Sequence, residues 1–343
     1  MKGLLKNTWK LLAILLVAYA CISSFFLPMA PGIYTVQTTA VADSTLTLDV
    51  EGYNTHFTEN NTLWLQGKDS NAVLPFNLVV QSDDRLSIEF YKQDFTITGS
   101  HNLWVHNQID KTLFLPNVFF YDGEVGVKKA QNFDRANYIE PRSSFEIPYK
   151  SILYETIRNL NFHVCMWFVL LALMTLSLVY AVKSLSANAQ EIWDLRSVQA
   201  AKIGVYFALL GIISGSIWAK YTWGAWWVND PKLNGAALST LVYLAYLVLR
   251  QSILDPEKRA RISAVYNVFA YVLMIVFIQI LPRLTDSLHP GNGGNPAFSQ
   301  YDLDNNLRMI FYPATLGWIL IGIWIWQIST RIQEIKNKYE KHA

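Results

Sequence analysis

The chain has 343 residues, 52% of them apolar and only 16% charged, with a positive mean hydropathy of +0.19. That is too apolar for an ordinary soluble domain of this length and indicates a membrane protein with a soluble part attached. The formal net charge of +2 gives no electrostatic case for nucleic-acid binding, and no helix-turn-helix or stretched basic face supplies one. Cys21 and Cys165 fall inside apolar runs and form no C-x-x-C pair, so they read as packing residues, not as a disulfide framework or a thiol redox centre.

In chain order, Lys2, Lys6 and Lys10 precede "LLAILLVAYAC", which runs on through Phe25, Phe26 and Leu27 and so reads as a retained membrane helix, not a cleaved signal. Further apolar runs follow near 162–182, 202–219, 234–250, 263–282 and 309–328. Each approaches the ~20 residues needed to cross a ~30 Å hydrocarbon layer. The basic residues orient the six spans. Lys183 and Arg196 lie between the second and third, Arg250, Lys258, Arg259 and Arg261 between the fourth and fifth, and Arg331, Lys336, Lys338 and Lys341 after the sixth. With Lys2, Lys6 and Lys10 they share one side, which the positive-inside rule makes cytoplasmic, so both termini are expected inside an inner membrane.

Residues 45–121 carry short alternating runs: "TLTLDV", "TLWLQG", "FNLVV", "RLSIEF", "DFTIT", "NLWVHN" and "LFLPNVFF". Period-two alternation at this spacing predicts a small antiparallel β-sandwich or barrel. The expected fold class is an α-helical polytopic membrane protein of six transmembrane helices, with a small all-β, sandwich-like domain inserted between helices 1 and 2. The expected divisions are a first transmembrane helix over 1–36, an extracytoplasmic β domain over 37–140, a five-helix membrane domain over 141–330 and a cytoplasmic tail over 331–343.

The outer side holds the chemistry. "WAKYTWGAWWVNDPKL", residues 218–233, gathers Trp218, Trp223, Trp226 and Trp227, four of the twelve tryptophans. Interfacial tryptophans commonly serve as anchors, but four within ten residues exceed what anchoring needs. His163 opens the second span and His289 follows the fifth, so two imidazoles share that surface with the indoles. Haem suits such a surface, because its iron takes axial histidines and its macrocycle presents a wide apolar face to aromatic rings. Lys220 and Lys232 flank the tryptophans and are candidates for its propionates. Asp230-Pro231 reads as the N-cap and first residue of the fourth span, and Asp230 is not assigned as a ligand. In the β domain His101 and His106 are five apart on one strand, so they point to opposite faces and make no paired site.

The run from Trp218 to Asp230, with the histidine-led helix before it and "SLHP" after the next span, resembles the tryptophan-rich WWD domain of the haem-handling proteins of cytochrome c maturation. It is most similar to the CcmC branch, the haem exporter C family. The resemblance covers roughly residues 1–30 and 150–330. It implies six membrane helices and transient binding of haem b, with His163 and His289 as axial ligands to the iron and the tryptophan segment against the haem edge. It also implies partners: the haem chaperone CcmE and an ABC-type complex of CcmA, CcmB and CcmD. Asn229 stands where the family usually has a further tryptophan. The "DPK" that follows is closer to the CcsA branch, which works as a synthetase component, but CcsA proteins have more spans and extra membrane histidines.

Nothing indicates catalysis by this chain: there is no nucleophile–base pair, no H-E-x-x-H motif and no phosphate loop. A transporter permease subunit not handling haem would explain six spans but would need polar residues lining a path, and charges are essentially missing from the middle of the spans. The inserted β domain is expected to act as a docking or lid module.

Overall fold

The computed structural model describes residues 7–41, 44–58, 60–68, 71–126, 133–138, 143–186, 190–289 and 303–342. It divides into two compact units, Pro28–Glu155 and the pair of segments Met1–Leu27 and Thr156–Ala343.

The first unit is a β-sandwich. Among the described residues, eight strands form two antiparallel four-stranded sheets, ordered β1-β2-β6-β5 and β4-β3-β7-β8. The strands are β1 Gly32–Val41, β2 Thr45–Tyr53, β3 Thr62–Gln66, β4 Ala72–Val73, β5 Asn77–Ser82, β6 Arg85–Tyr91, β7 Gly99–Asn107 and β8 Lys111–Tyr121. The alternation seen in the sequence is the burial pattern: Leu46, Leu48 and Val50 of β2 and Leu86, Ile88 and Phe90 of β6 meet Leu63 and Leu65 of β3 and Leu103 and Val105 of β7 in one core. Two details differ from the sequence reading. β1 begins at Gly32, ahead of residue 37, because Pro28 and Pro31 stop the first helix early and "YTVQTTAV" is strand-forming. "DFTIT" is not a strand: Lys92–Asp94 form a 3₁₀ turn and Phe95 plugs the core.

His101 and His106 do face opposite sides of β7. His101 is buried against Phe95, with Nδ1 3.0 Å from the Gly99 carbonyl, and His106 lies on the other face beside Tyr138. That face carries a parallel pair of indoles, Trp64 and Trp104, with Phe133 and Tyr138 against Trp64. Among the described residues no group of three or more His, Cys, Asp or Glu is placed to hold a metal ion.

The second unit is helical, and among the described residues six helices are long and apolar enough to span a membrane, the count expected. We label them α1 Thr8–Phe26, α2 Leu160–Ser184, α3 Gln190–Trp223, α4 Pro231–Ser252, α5 Pro256–Ile275 and α7 Asn305–His342; α5 continues through a π-turn, Val276–Ile280, into the short α6, Leu281–Leu284. The chain is a multi-pass membrane protein. Its helices are held by polar contacts as well as by packing, since apolar side chains gain little from leaving lipid for one another. Asn267 of α5 donates to Ser177 Oγ of α2 at 2.7 Å and to Ser197 Oγ of α3 at 3.1 Å, and the two serines each bond the other's backbone carbonyl. Arg250, expected between the fourth and fifth spans, lies instead within α4 and forms a two-bonded ion pair with Asp194 of α3. The helices extend beyond their apolar windows because the pair neutralises both charges there.

At the opposite end, Arg158 Nη1 bonds the carbonyls of Ser24 and Leu27, each at 2.8 Å, satisfying groups left open where α1 ends. Asn161 reaches Ser24 Oγ at 2.9 Å. These contacts fix the start of α2, and with it His163.

Candidate functional site

His163 occupies the first turn of α2 and inserts into a notch on α3. The notch is cut by glycines one turn apart: a Cβ at Gly215 would stand 2.6 Å from His163 Cε1, and one at Gly211 would stand 2.9 Å from the Trp167 ring. No larger residue leaves room for the imidazole at this approach. His163 Nδ1 lies 3.0 Å from the Gly211 carbonyl and 3.2 Å from Ser214 Oγ. A carbonyl only accepts, so Nδ1 carries the proton, and in the neutral ring Nε2 keeps its lone pair. Ser214 gives its own proton to the Leu210 carbonyl at 2.8 Å, leaving its oxygen free to accept from the imidazole.

Trp218 and Trp223 lie on the last turns of α3, not in a loop, and only residues 224–230 connect α3 to α4. The apolar window ended too early because Lys220 interrupts it; its ammonium instead donates to the Gly224 carbonyl at 2.9 Å, stabilising the C-terminal end of its own helix. Gly224 takes φ +80° and its amide bonds Lys220 O, a left-handed cap that turns the chain out of the helix and that a Cβ would strain. Trp218 meets His163 edge-on, ring centroids 5.6 Å apart, and gives its N–H to Thr156 Oγ1 at 3.0 Å. Trp223 meets His289 edge-on at 5.1 Å. The two indoles are five residues apart on one helix, about 7.5 Å of rise, so α3 carries both histidine contacts on its C-terminal end.

His289 is held by Asp230. As expected, this aspartate caps α4, accepting from Lys232 N at 2.8 Å and Leu233 N at 3.4 Å, with Pro231 at the first helical position. The same carboxylate also accepts from Leu288 N at 2.8 Å and Ser287 Oγ at 2.9 Å, and faces His289 Nδ1 at 3.1 Å. Asp230 is 1% exposed. Burial pushes its carboxyl up, but the hydrogen bonds from His289, Leu288 and Ser287 outweigh this and hold it well below the usual carboxylate range. It is therefore an ionised acceptor, so His289 Nδ1 donates, and Nε2 again keeps the lone pair in the neutral ring. The sequence showed only the cap. The second role joins residues 59 apart, and no local pattern signals it.

Of the remaining tryptophans, Trp226 is 59% exposed and Trp227 40%. Trp227 donates to Asn234 Oδ1 at 3.3 Å, and Asn234 donates to Asn229 Oδ1 at 2.7 Å. Asn229 thus anchors, through Asn234, the edge of a neighbouring indole. The Lys232 backbone amide belongs to the Asp230 cap.

The depressed Asp230 carboxyl has a testable sign. A group whose folded pKa lies below its unfolded value stabilises the fold above the unfolded value, about 3.9 for aspartate, and that contribution fades as pH falls toward the folded value. Asp230→Asn keeps a good cap residue but loses the charge. The variant is expected to be less stable than the parent at pH 7, with the difference narrowing below about pH 4, measured as thermal unfolding in detergent by circular dichroism. Parallel pH profiles would show that the carboxylate is not ionised in this network.

The fold and site define a polytopic membrane protein that presents two like-tautomer histidines among tryptophans at one end of its helical bundle. Residues 150–286, which contain His163, the tryptophan segment and Asp230, match the family described as Cytochrome C assembly protein. The match lies mostly in the membrane unit, and that unit resembles heme exporter proteins. The chain is 26% identical over 166 residues to heme exporter protein C of Paracoccus denitrificans, covering 48% of this chain and 65% of that protein. Heme exporter protein C of Haemophilus influenzae is 23% identical over 167 residues, 46% of this chain and 66% of its own. Cytochrome c biogenesis protein CcsA of Prochlorococcus marinus is 32% identical over 100 residues, 29% and 31%. The chain therefore spans just under two thirds of the two exporter proteins and about a third of the CcsA protein.

Proposed function

We propose that this protein binds haem b at the outer face of the cytoplasmic membrane and hands it to a CcmE-type haem chaperone for attachment to c-type cytochromes. In this reading His163 and His289 are the axial ligands, each through Nε2. Trp218, Trp223, Trp226 and Trp227 face the macrocycle or its edge, and Lys232, with Lys220 if it leaves its helix end, meets the propionates. The observation that carries the proposal is the shared tautomer: each Nδ1–H is given to a fixed acceptor, a carbonyl for one and a carboxylate for the other, which orients the ring and leaves Nε2 for a metal. Haem would supply an iron able to bind two such nitrogens. Everything else is the work of this chain: holding the rings, excluding water with indoles, and leaving one edge open at Trp226.

The heme exporter names of the relatives support haem handling in cytochrome c assembly, with an ABC-type complex of CcmA, CcmB and CcmD as the expected partner and this chain acting as a carrier, not a catalyst. The basic residues support cytoplasmic termini and an extracytoplasmic β domain over residues 37–140. The test is the visible spectrum of the detergent-purified full chain from haem-sufficient cells expressing the partners. A low-spin b-type spectrum is expected; a colourless protein that also fails to take up added haem would overturn the proposal.

The platform has its own test. Changing Trp223, Trp226 and Trp227 together to Leu keeps the segment apolar, so membrane insertion is expected to persist, while each lost planar contact removes about 0.5–1.5 kcal/mol. Haem affinity should fall roughly tenfold or more for the triple variant. Unchanged affinity would reduce the indoles to membrane anchors.

A further inference from the structure

The fifth span, Pro256–Leu284, is not uniform. Val276–Ile280 form a π-turn, and the Leu281 N–H bonds the Val276 carbonyl five residues back. Pro282 follows immediately. This pairing leaves the Phe277 carbonyl without a donor in its own helix. Its α-type partner would be Leu281 N–H, already bonded to Val276, and its π-type partner would be Pro282, which has no N–H.

That carbonyl lies against α4. A Cβ at Gly235 would stand 2.2 Å from the Phe277 oxygen, so only glycine permits the approach, and the remaining contact is of the Cα–H to oxygen kind. Gly235 is five residues after Asp230 on the same chain segment. One helix start therefore touches the fifth span twice: at the π-turn through Gly235, and beyond its end through Asp230, which binds Ser287, Leu288 and His289.

We propose that the π-turn sets the register of the outer end of this span, and that Gly235, Phe277 and Pro282 are positioning residues for His289. This rests on the reading of His289 as a haem ligand. A π-turn holds one residue more than an α-turn, so relative to an unbroken α-helix it turns every downstream residue back by about 100° and sets it back by about 1.5 Å along the axis. With the extra residue, Ser287-Leu288-His289 meets Asp230. Without it, the same three residues leave the helix on a different face.

The test deletes Ile280, whose side chain is 46% exposed and so contributes little packing. The first readout needs no haem: hydrogen exchange of the peptide spanning Leu284 to His289, where the Leu288 amide is held by Asp230. Exchange in the deletion variant is expected to be at least tenfold faster than in the parent. The second readout is the haem spectrum. The variant should lose low-spin six-coordinate character, bind haem about 10–100-fold more weakly as for loss of an outer-shell support, and regain the low-spin spectrum when free imidazole is added. Gly235→Ala keeps the chain length and pushes on the Phe277 carbonyl from the other side, and should show the same changes to a smaller degree.

A folded deletion variant with parental exchange and spectrum would overturn the proposal. If the deletion variant does not accumulate in the membrane, parental exchange in Gly235→Ala would do so. A parent protein that binds no haem would defeat the proposed function while leaving the exchange experiment to judge the register on its own.

Discussion

Replacing His163 or His289 by Ala is expected to leave the protein in the membrane and to abolish the low-spin haem spectrum. Neither ring carries the fold. Without His289, Asp230 keeps the Lys232, Leu233 and Leu288 amides and the Ser287 hydroxyl, so no buried charge is stranded. Without His163, the notch at Gly215 is left empty, but the Gly211 carbonyl remains part of α3. The loss to haem is larger. Removing an outer-shell partner of a metal ligand costs about 10–100-fold in affinity, and removing the ligand itself is expected to exceed that. Each variant should bind haem in a five-coordinate form that added imidazole returns to six-coordinate, with maturation of c-type cytochromes lost in cells. Parental spectra in both variants would mean that the iron is held elsewhere and that the two histidines only pack against tryptophan.

The sequence made the spans and the sandwich legible because each is a repeated statement. About twenty apolar residues in a row, or six alternating ones, leave few alternatives. The strand that escaped, β1, adjoins a membrane helix and is rich in threonine, so its start blends into the preceding span. The histidines and tryptophans were visible as residue types at a common border. Their supports were not. Gly211 and Gly215 matter only because α2 crosses α3 at that depth. Asp230 showed its capping role through its neighbour Pro231, while its hold on Ser287, Leu288 and His289 spans nearly sixty residues. Asn229 is one end of a short amide chain to Trp227, a role that no local pattern signals.

The ion pair between Asp194 and Arg250 makes the largest stability prediction. Both side chains are mostly buried, 15% and 13% exposed, and the guanidinium meets the carboxylate through two nitrogens, one of them at 2.6 Å from Oδ1. The pair joins α3 to α4, the two helices that carry the tryptophans and Asp230, at the bundle end remote from the histidines. Truncating one partner strands the other charge in a mostly buried setting, which typically costs about 3–5 kcal/mol. Asp194→Ala and Arg250→Ala are each expected to lower the detergent unfolding temperature sharply and to reduce the amount of protein in the membrane. The double variant Asp194→Leu with Arg250→Met removes both charges and fills similar volume, so it should recover most of that loss, because an ion pair in a buried setting offsets little more than its own desolvation. Arg250→Lys should recover only part, since an ammonium lacks the flat two-pronged geometry that the carboxylate meets here. If the single and double variants were equally unstable, the pair would matter for its shape and not its charge. If all three matched the parent, water would already reach this end of the helices and screen the pair.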